Sequence, residues 1–137
     1  MSEVMPFSTI YEDVAALQEQ VAALQAATAD TGWINLTLQD GIVEHNASKF
    51  PARCRRIGKL VRIEGAINGI TVASTTVAIL PEGFRPSKNL YYIGARNGGE
   101  TDTYELGSNG HLVLVDSSTD TYIASNYHFI NTTFVID

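Results

Sequence analysis

The second half of the chain contains a concentration of aromatic, amide and charged side chains suited to binding a sugar. Its members are Tyr91, Tyr92, Arg96, Asn97, Glu100, Asp102, Tyr104, Tyr122, Asn126, Tyr127 and His128. Aromatic rings can stack on the C–H faces of sugars while amides and carboxylates bind hydroxyl groups, and small-ligand sites combine apolar walls with a few polar groups. We therefore predict candidate saccharide-binding positions here, with packing within strands as the alternative role of the tyrosines.

A second concentration is basic, and it comprises Arg53, Arg55, Arg56, Lys59 and Arg62. The spacing indicates outward positions on two adjacent strands, neutralised by Glu44, by Glu64 or by an acidic helix. The alternative is a contact with an anionic polymer, such as a phosphate-bearing cell-wall glycan. Cys54 lies among these bases, which could lower its pKa; the other interpretation is a small buried hydrophobe facing inward. A single cysteine completes neither an intrachain disulfide nor a zinc site.

Catalytic chemistry has no recognisable local motif in this sequence. The histidines are isolated from one another, at His45, His111 and His128, and the sequence contains neither a phosphate-binding loop nor a dinucleotide fingerprint. Asp102 with Glu105, or Asp116 with Asp120, could form a glycosidase-type carboxylate pair. We predict a protein that is not an enzyme, with no catalytic residues, no metal and no cofactor. A hydrolase of cell-wall polysaccharide is kept as an alternative.

The charge distribution excludes some partners. Of the net charge of −6, residues 1–30 contribute five acids and no base, while the remainder is nearly neutral with ten acids and nine bases. Nucleic-acid binding requires clustered basic residues on a basic domain, so no nucleic-acid partner is expected. No apolar run reaches the length of about 18 to 20 residues that crosses a bilayer, so no membrane partner is expected either. The N-terminus lacks a secretory signal pattern, which predicts assembly in a cytoplasm.

The element that positions these residues is an N-terminal heptad repeat. Apolar residues recur at alternating spacings of three and four, at Phe7, Ile10, Val14, Leu17, Val21 and Leu24. This pattern over Phe7 to Thr28 predicts a helix that winds around copies of itself, within an oligomerising segment of residues 1–30. Thr9 and Glu12 fit a capping box, which places the start of the helix near Ile10. The valines and leucines are compatible with two or three strands of coil, with a slight preference for two. The alternative is one amphipathic helix folded onto its own β domain.

From Gly32 onward the sequence changes to short strands and turns. The predicted strands cover residues 33–38, 51–57, 60–67, 75–80, 90–95, 104–106, 111–115, 122–124, 127–130 and 133–136. Asn109 and Gly110 form the strongest hairpin signal. Short strands with turn signals every eight to twelve residues predict a mainly β domain over residues 31–137, an antiparallel sandwich or barrel.

Several segments of this β region resemble one protein family. TGWINLTLQDGIVEH, RIGKLVRIEGAING, LPEGFRPSKNLYY, the GSNGHLVLV hairpin and the final aromatic strand are similar to C-terminal head domains of tail-fibre and receptor-binding proteins of tailed bacteriophages, particularly those of Gram-positive hosts. The most specific segment is Leu80 to Ser87, and the resemblance covers residues 31–137.

The resemblance implies a fold and a function. Such proteins are virion components of the tail or baseplate: homotrimers with a helical stem and a β-sandwich, jelly-roll-like head that attaches to host-surface saccharides. It therefore implies three partners, namely copies of the same chain, a host cell-wall saccharide and other tail or baseplate proteins. A structural alternative is a trimerisation or docking module of the baseplate that binds no glycan.

Overall fold

The computed structural model of the chain describes residues 7–137, with side chains from Thr9 onward. One helix precedes twelve short strands and one 3-10 turn. In chain order these are α1 (Phe7–Thr28), β1 (Ile34–Asn35), β2 (Thr37–Leu38), β3 (Val43–Glu44), β4 (Arg53–Ile57), β5 (Leu60–Glu64), β6 (Ala66–Asn68), β7 (Thr75–Ile79), β8 (Leu90–Ala95), the 3-10 turn (Asn97–Gly99), β9 (Thr101–Leu106), β10 (His111–Ser117), β11 (His128–Phe129) and β12 (Thr132–Val135). The prediction of a mainly β chain with one N-terminal helix is confirmed.

Helix α1 begins at Phe7, one turn before the start near Ile10 that the capping box predicted, and every residue from Ile10 to Thr28 is exposed. The exposed residues include the apolar stripe of Ile10, Val14, Leu17, Val21 and Leu24. The side chain of Phe7, assigned to the same stripe, lies outside the described side chains. The helix meets the β domain at its C-terminal end, where the Gly58 N–H donates to the Ala29 carbonyl at 2.9 Å. The alternative of a helix packed onto its own β domain is therefore wrong.

The strands form three antiparallel sheets. A four-stranded sheet has the order β1-β4-β5-β12, a five-stranded sheet has the order β2-β7-β10-β9-β8, and a three-stranded sheet has the order β11-β6-β3. All three contribute to one apolar core, for example Ile63 from the first, Leu112 from the second and Ile67 from the third. Within residues 7–137, no helix has both the length and the apolar character needed to span a bilayer.

Two predicted strands are each divided between two sheets. Residues 33–38 split at buried Leu36, so that β1 pairs with β4 and β2 pairs with β7. Residues 60–67 split at Gly65, whose φ is +143° and where an added Cβ would lie 2.6 Å from Ala52 Cα. Only glycine fits there, because a side chain would meet backbone. These two breaks carry the chain from one sheet to another.

Two further differences concern the loops. The predicted strand at 122–124 is wrong: the Asn126 N–H donates to the Ile123 carbonyl at 2.9 Å, which closes a turn where a strand ladder was expected. Strand β3 lies in a segment predicted as loop, because its pairing with β6 depends on residues distant in sequence. The hairpin between β9 and β10 is confirmed. Gly110 has a φ of +88° and donates its N–H to the Gly107 carbonyl at 2.9 Å.

Candidate functional site

The predicted saccharide-binding residues occupy three different environments, and the first is the interior. Asp102 and Tyr104 lie on the inward face of β9, and His128 lies in β11; all three side chains are 0% exposed. His128 Nδ1 is 2.6 Å from Asp102 Oδ2, and the Tyr104 hydroxyl donates to the same oxygen at 3.4 Å. These residues form a buried polar cluster. They are out of reach of a saccharide at the surface, which corrects their predicted role.

Tyr92 belongs to the same interior. Its ring stacks on Tyr104 with 5.0 Å between centroids, and its hydroxyl donates to the Ile130 carbonyl at 2.9 Å. Burial raises the pKa of Tyr92 well above the usual tyrosine range, and it does the same to the pKa of Tyr104. Both hydroxyl groups are therefore neutral donors inside the head, where they take part in packing.

A second group of predicted residues anchors the long segment 117–127. Buried Arg96 donates to Ser117 Oγ at 3.0 Å and to the Thr121 carbonyl, and its guanidinium lies 5.4 Å from the ring centroid of Tyr122. Glu100 accepts a hydrogen bond from the Ser118 hydroxyl. These contacts, rather than pairing between strands, hold the segment in place. Arg96, Glu100 and Tyr122 therefore have a structural role.

Asn97 holds the C-terminal end of the same segment. Its Oδ1 accepts from the Tyr127 backbone N–H at 3.1 Å, and its own backbone N–H donates to the Tyr127 carbonyl at 3.1 Å. Its Nδ2 donates to Asn126 Oδ1 at 3.2 Å. Both polar atoms of the side-chain amide thus take part in holding the fold. Of the predicted set, Tyr91, 64% exposed on β8, and partly exposed Tyr127 still present their rings to solvent.

Three of the five residues in the basic concentration form ion pairs with acidic residues of the chain. Arg53 donates to Glu64 Oε1 through Nε at 2.9 Å and Nη2 at 2.6 Å, and Arg62 lies 3.7 Å from the other oxygen of Glu64. Arg55 pairs with Asp30 just beyond the helix. That pairing, with the Gly32 N–H, lowers the pKa of Asp30 to about 2. The interpretation as outward, paired strand positions accounts for these contacts.

Cys54 faces the core between two outward arginines and is fully buried. Burial raises the pKa of the thiol to about 11. The alternative of a cysteine activated by neighbouring bases is therefore wrong. At neutral pH the side chain is a small hydrophobe, because the thiolate form is scarcely populated.

Asp102 and Glu105, one of the carboxylate pairs considered for hydrolysis, do not face each other in the way that a glycosidase requires. Asp102 is buried on the inward face of β9, whereas Glu105 alternates to the outward face and pairs in register with Tyr91. Asp116 accepts from the Ser117 N–H at 2.8 Å and from the Tyr122 hydroxyl at 3.4 Å. Among residues 7–137, no group of three or more His, Cys, Asp or Glu side chains is placed to hold a metal ion.

A surface pocket of about 370 Å³ was not foreseen from the sequence. It is lined by Ala47, Ser48, Lys49, Phe50, Gly65, Phe129 and Asn131. The lining comes from three stretches that are far apart in sequence, so no local motif could reveal it. The predicted Tyr127 lies beside it, because Lys49 Nζ is 5.9 Å from the ring centroids of both Tyr127 and Phe129. We name this feature the Lys49 pocket.

Phe50, the exposed wall of the Lys49 pocket, is held in place by stacking on Arg53. The Arg53 guanidinium lies between two rings, 4.7 Å from the centroid of Phe50 and 4.1 Å from that of Trp33. Glu64 fixes the guanidinium from a third side. Opposite Phe50, Asn131 Oδ1 accepts from the Gly65 N–H at 2.9 Å. The pocket walls are therefore held in place by contacts within the head.

Comparison with solved structures shows that this chain has the fold of phage receptor-binding proteins. The receptor binding protein gp15 of Listeria phage PSA matches with a TM-score of 0.64 and 17% identity, over 99% of this chain and 82% of that one. The receptor-binding head domain of lactococcal phage bIL170 matches with a TM-score of 0.54 and 13% identity, over 77% of this chain and 97% of that one. Both phages infect Gram-positive bacteria, so the predicted resemblance is confirmed at the level of the fold.

Sequence comparison adds no assignment. No protein-family model matches the chain, and no curated protein matches it. Both structural neighbours are receptor-binding proteins rather than enzymes.

Proposed function

We propose that this chain is the host-attachment protein of a tailed bacteriophage with a Gram-positive host, carried on the tail or baseplate of the virion. The observation that carries the proposal is the match to a phage receptor-binding protein over 99% of the chain, helix included. The match to an isolated receptor-binding head domain supports the same function for the β region.

The active form in this proposal is a homotrimer. Five apolar residues of α1 form an exposed stripe that finds no cover on the chain's own β domain: Ile10, Val14, Leu17, Val21 and Leu24. Heptad stripes of this kind are stabilised by burial against copies of the same helix. A coiled coil of three helices would align three β-sandwich, jelly-roll-like heads on one axis.

The ligand in this proposal is a saccharide of the host cell surface. Single sugar sites are weak, and three aligned sites gain a large effective affinity when one polysaccharide engages several of them. Tyr91 and Tyr127 are the members of the predicted set whose rings remain available at the surface. The Lys49 pocket adds aromatic walls and polar donors next to Tyr127.

Binding of the full chain to purified cell walls tests this function. Walls from a panel of Gram-positive bacteria, including Listeria and Lactococcus, would be compared before and after periodate oxidation, which destroys sugar diols. We expect saturable binding to at least one wall and a loss of at least about tenfold after periodate, since a trivalent contact amplifies the loss at each site. Mock-oxidised walls are the control.

Three results would contradict the proposal. Periodate-resistant binding would indicate a receptor other than a saccharide with free vicinal diols. Tight binding to a virion protein without binding to any wall would indicate the docking module. Release of reducing sugar from walls would indicate the hydrolase.

A further inference from the structure

We infer that the Lys49 pocket is a saccharide site and that it selects a sugar unit carrying an anionic group, a carboxylate or a phosphate. The inference rests on the proposed function, because it names the place and the ligand class of the same binding event. It is carried by the shape, order and polarity of the pocket.

The shape suits one sugar unit between two rings. The volume of about 370 Å³ lies in the range of small-ligand sites. Phe50 and Phe129 supply the apolar walls, and Phe50 is 61% exposed. An aromatic ring at the mouth of a pocket offers a stacking surface to the C–H face of a sugar.

The order of the wall reduces the cost of binding. Phe50 stacks on Arg53, whose other face stacks on Trp33 and whose guanidinium is hydrogen-bonded to Glu64. A side chain already held in its bound conformation loses less conformational entropy when a ligand arrives. The stack therefore preorganises Phe50, with Arg53 as a positioning residue that does not itself line the pocket.

The polarity of the pocket determines the ligand class. Lys49 is the one ionisable side chain of the lining, and it forms no ion pair with any described residue. Asn131 has its oxygen occupied by the Gly65 N–H, so its amide NH₂ is the group that remains to donate. The Ser48 hydroxyl donates to Asn46 Oδ1 at 2.5 Å, so its proton is already used within the chain.

This lining offers donors and one positive charge, with no carboxylate side chain to accept from sugar hydroxyls. An anionic group, with several acceptor oxygens, can accept hydrogen bonds from these donors. Hydrogen bonds between charged partners are stronger than those between neutral groups. The positive charge is local, because the chain as a whole carries −6. A uronate carboxylate and a sugar phosphate share this chemistry.

The single tryptophan provides a direct measurement. Trp33 is the chain's one tryptophan and lies 4.1 Å from the guanidinium that also holds Phe50. Its fluorescence would be followed while the full chain is titrated with glucose, glucuronate or glucose 1-phosphate, with sodium sulfate at matched ionic strength as control. We expect at least one anionic sugar to bind about fivefold tighter than glucose, a difference typical of one added charge-assisted contact. The two anionic probes distinguish carboxylate from phosphate.

Three variants assign the effect to this pocket. Lys49→Met should remove the preference for the anionic sugar over glucose. Asn131→Asp retains the oxygen that accepts from Gly65 but adds a negative charge, so it should weaken anionic binding more than glucose binding. Lys88→Met, a matched change at an exposed lysine outside the pocket lining, should have no effect.

The outcomes separate this inference from the proposed function. An unchanged anion preference in Lys49→Met, or no saturable response to any of the three sugars, overturns the inference. If periodate-sensitive wall binding by Lys49→Met and Phe50→Ala equals that of the unaltered chain, the inference fails and the proposed function stands. If the unaltered chain binds no wall, the proposed function fails.

Discussion

His128 fixes the interior of the head through a buried polar contact. It approaches Asp102 to 2.6 Å with neither side chain exposed, and it pairs with Ile67 in the three-stranded sheet. Its backbone also forms a bridge to Arg96, which follows the edge strand of the five-stranded sheet. Removing one member of a buried pair leaves the other without a partner in a low-dielectric interior. His128 therefore joins two sheets and contacts Asp102 Oδ2, while Asp102 Oδ1 and His128 Nε2 are buried without a hydrogen-bond partner among the described residues.

His128→Ala is expected to lower the free energy of unfolding by about 3 to 5 kcal/mol, because it removes the 2.6 Å contact with Asp102 and leaves a cavity in place of a fully buried ring. Urea denaturation at fixed protein concentration measures the change. His111→Ala is the matched control, since His111 is exposed on β10 and its loss should change stability by less than about 0.5 kcal/mol. A His128→Ala variant with unaltered stability but lost saccharide binding would contradict the structural role and return His128 to the binding site.

At the scale of single residues, the sequence is informative where one face of a strand is clearly apolar. Cys54 was foreseen as inward because it alternates with arginines, and it is buried. In β9 the alternation of side chains does not show which face is buried, because each face carries an acidic residue. Asp102 lies on one face with Tyr104, and Glu105 lies on the other. What decides the buried face is His128, a partner from a distant strand. The buried members of the predicted sugar cluster, Asp102, Tyr104 and His128, were misplaced for this reason.

Gly65 shows how one position redirects an element. It lies between β5 and β6, and its φ of +143° turns the chain from the four-stranded to the three-stranded sheet. Its N–H is held by Asn131, on the rim of the Lys49 pocket. The backbone of Ala52 packs against the space where a side chain would lie. The passage of the chain from one sheet to the other and the wall of the Lys49 pocket therefore depend on the same glycine.

Gly65→Ala should cost about 3 kcal/mol of stability, because the unfavourable φ and a clash with backbone act together. The control is Gly98→Ala, where φ is +83° but nothing lies within 4 Å of an added Cβ. That variant should cost about 1 to 2 kcal/mol from backbone strain alone. Thermal or urea unfolding compares the two; equal losses would show that close packing at Gly65 contributes nothing.

Elements that depend on local signals could be predicted, and elements that depend on distant partners could not. The heptads predicted α1, and Asn109-Gly110 predicted the β9–β10 hairpin, because both patterns act within a few residues. The break at Leu36 depends on the Ala52 carbonyl, which accepts the Leu36 N–H at 2.9 Å. Likewise, the Lys49 pocket exists only once three separated stretches have come together.

At the scale of the whole molecule, the chain divides into an exposed helical stem and a well-packed head. The connection between them is polar: Asp30 pairs with Arg55, and the Thr31 N–H donates to the Arg56 carbonyl at 3.0 Å. An isolated helix of 22 residues is only marginally stable in water. In the proposed trimer, partner helices would supply the stability that the stem lacks alone.

The mass of the full chain in solution tests the central claim, a trimer held by this stem, most directly. Sedimentation equilibrium should give a mass three times that of the 14.9 kDa chain. Leu17→Asn with Leu24→Asn should reduce it to the mass of one chain, because polar residues would replace the buried seam. Ala15→Asn with Ala22→Asn, outside the apolar stripe, should leave the trimer intact. A mass of one or two chains for the unaltered protein would contradict the account, as would a trimer that survives the leucine substitutions.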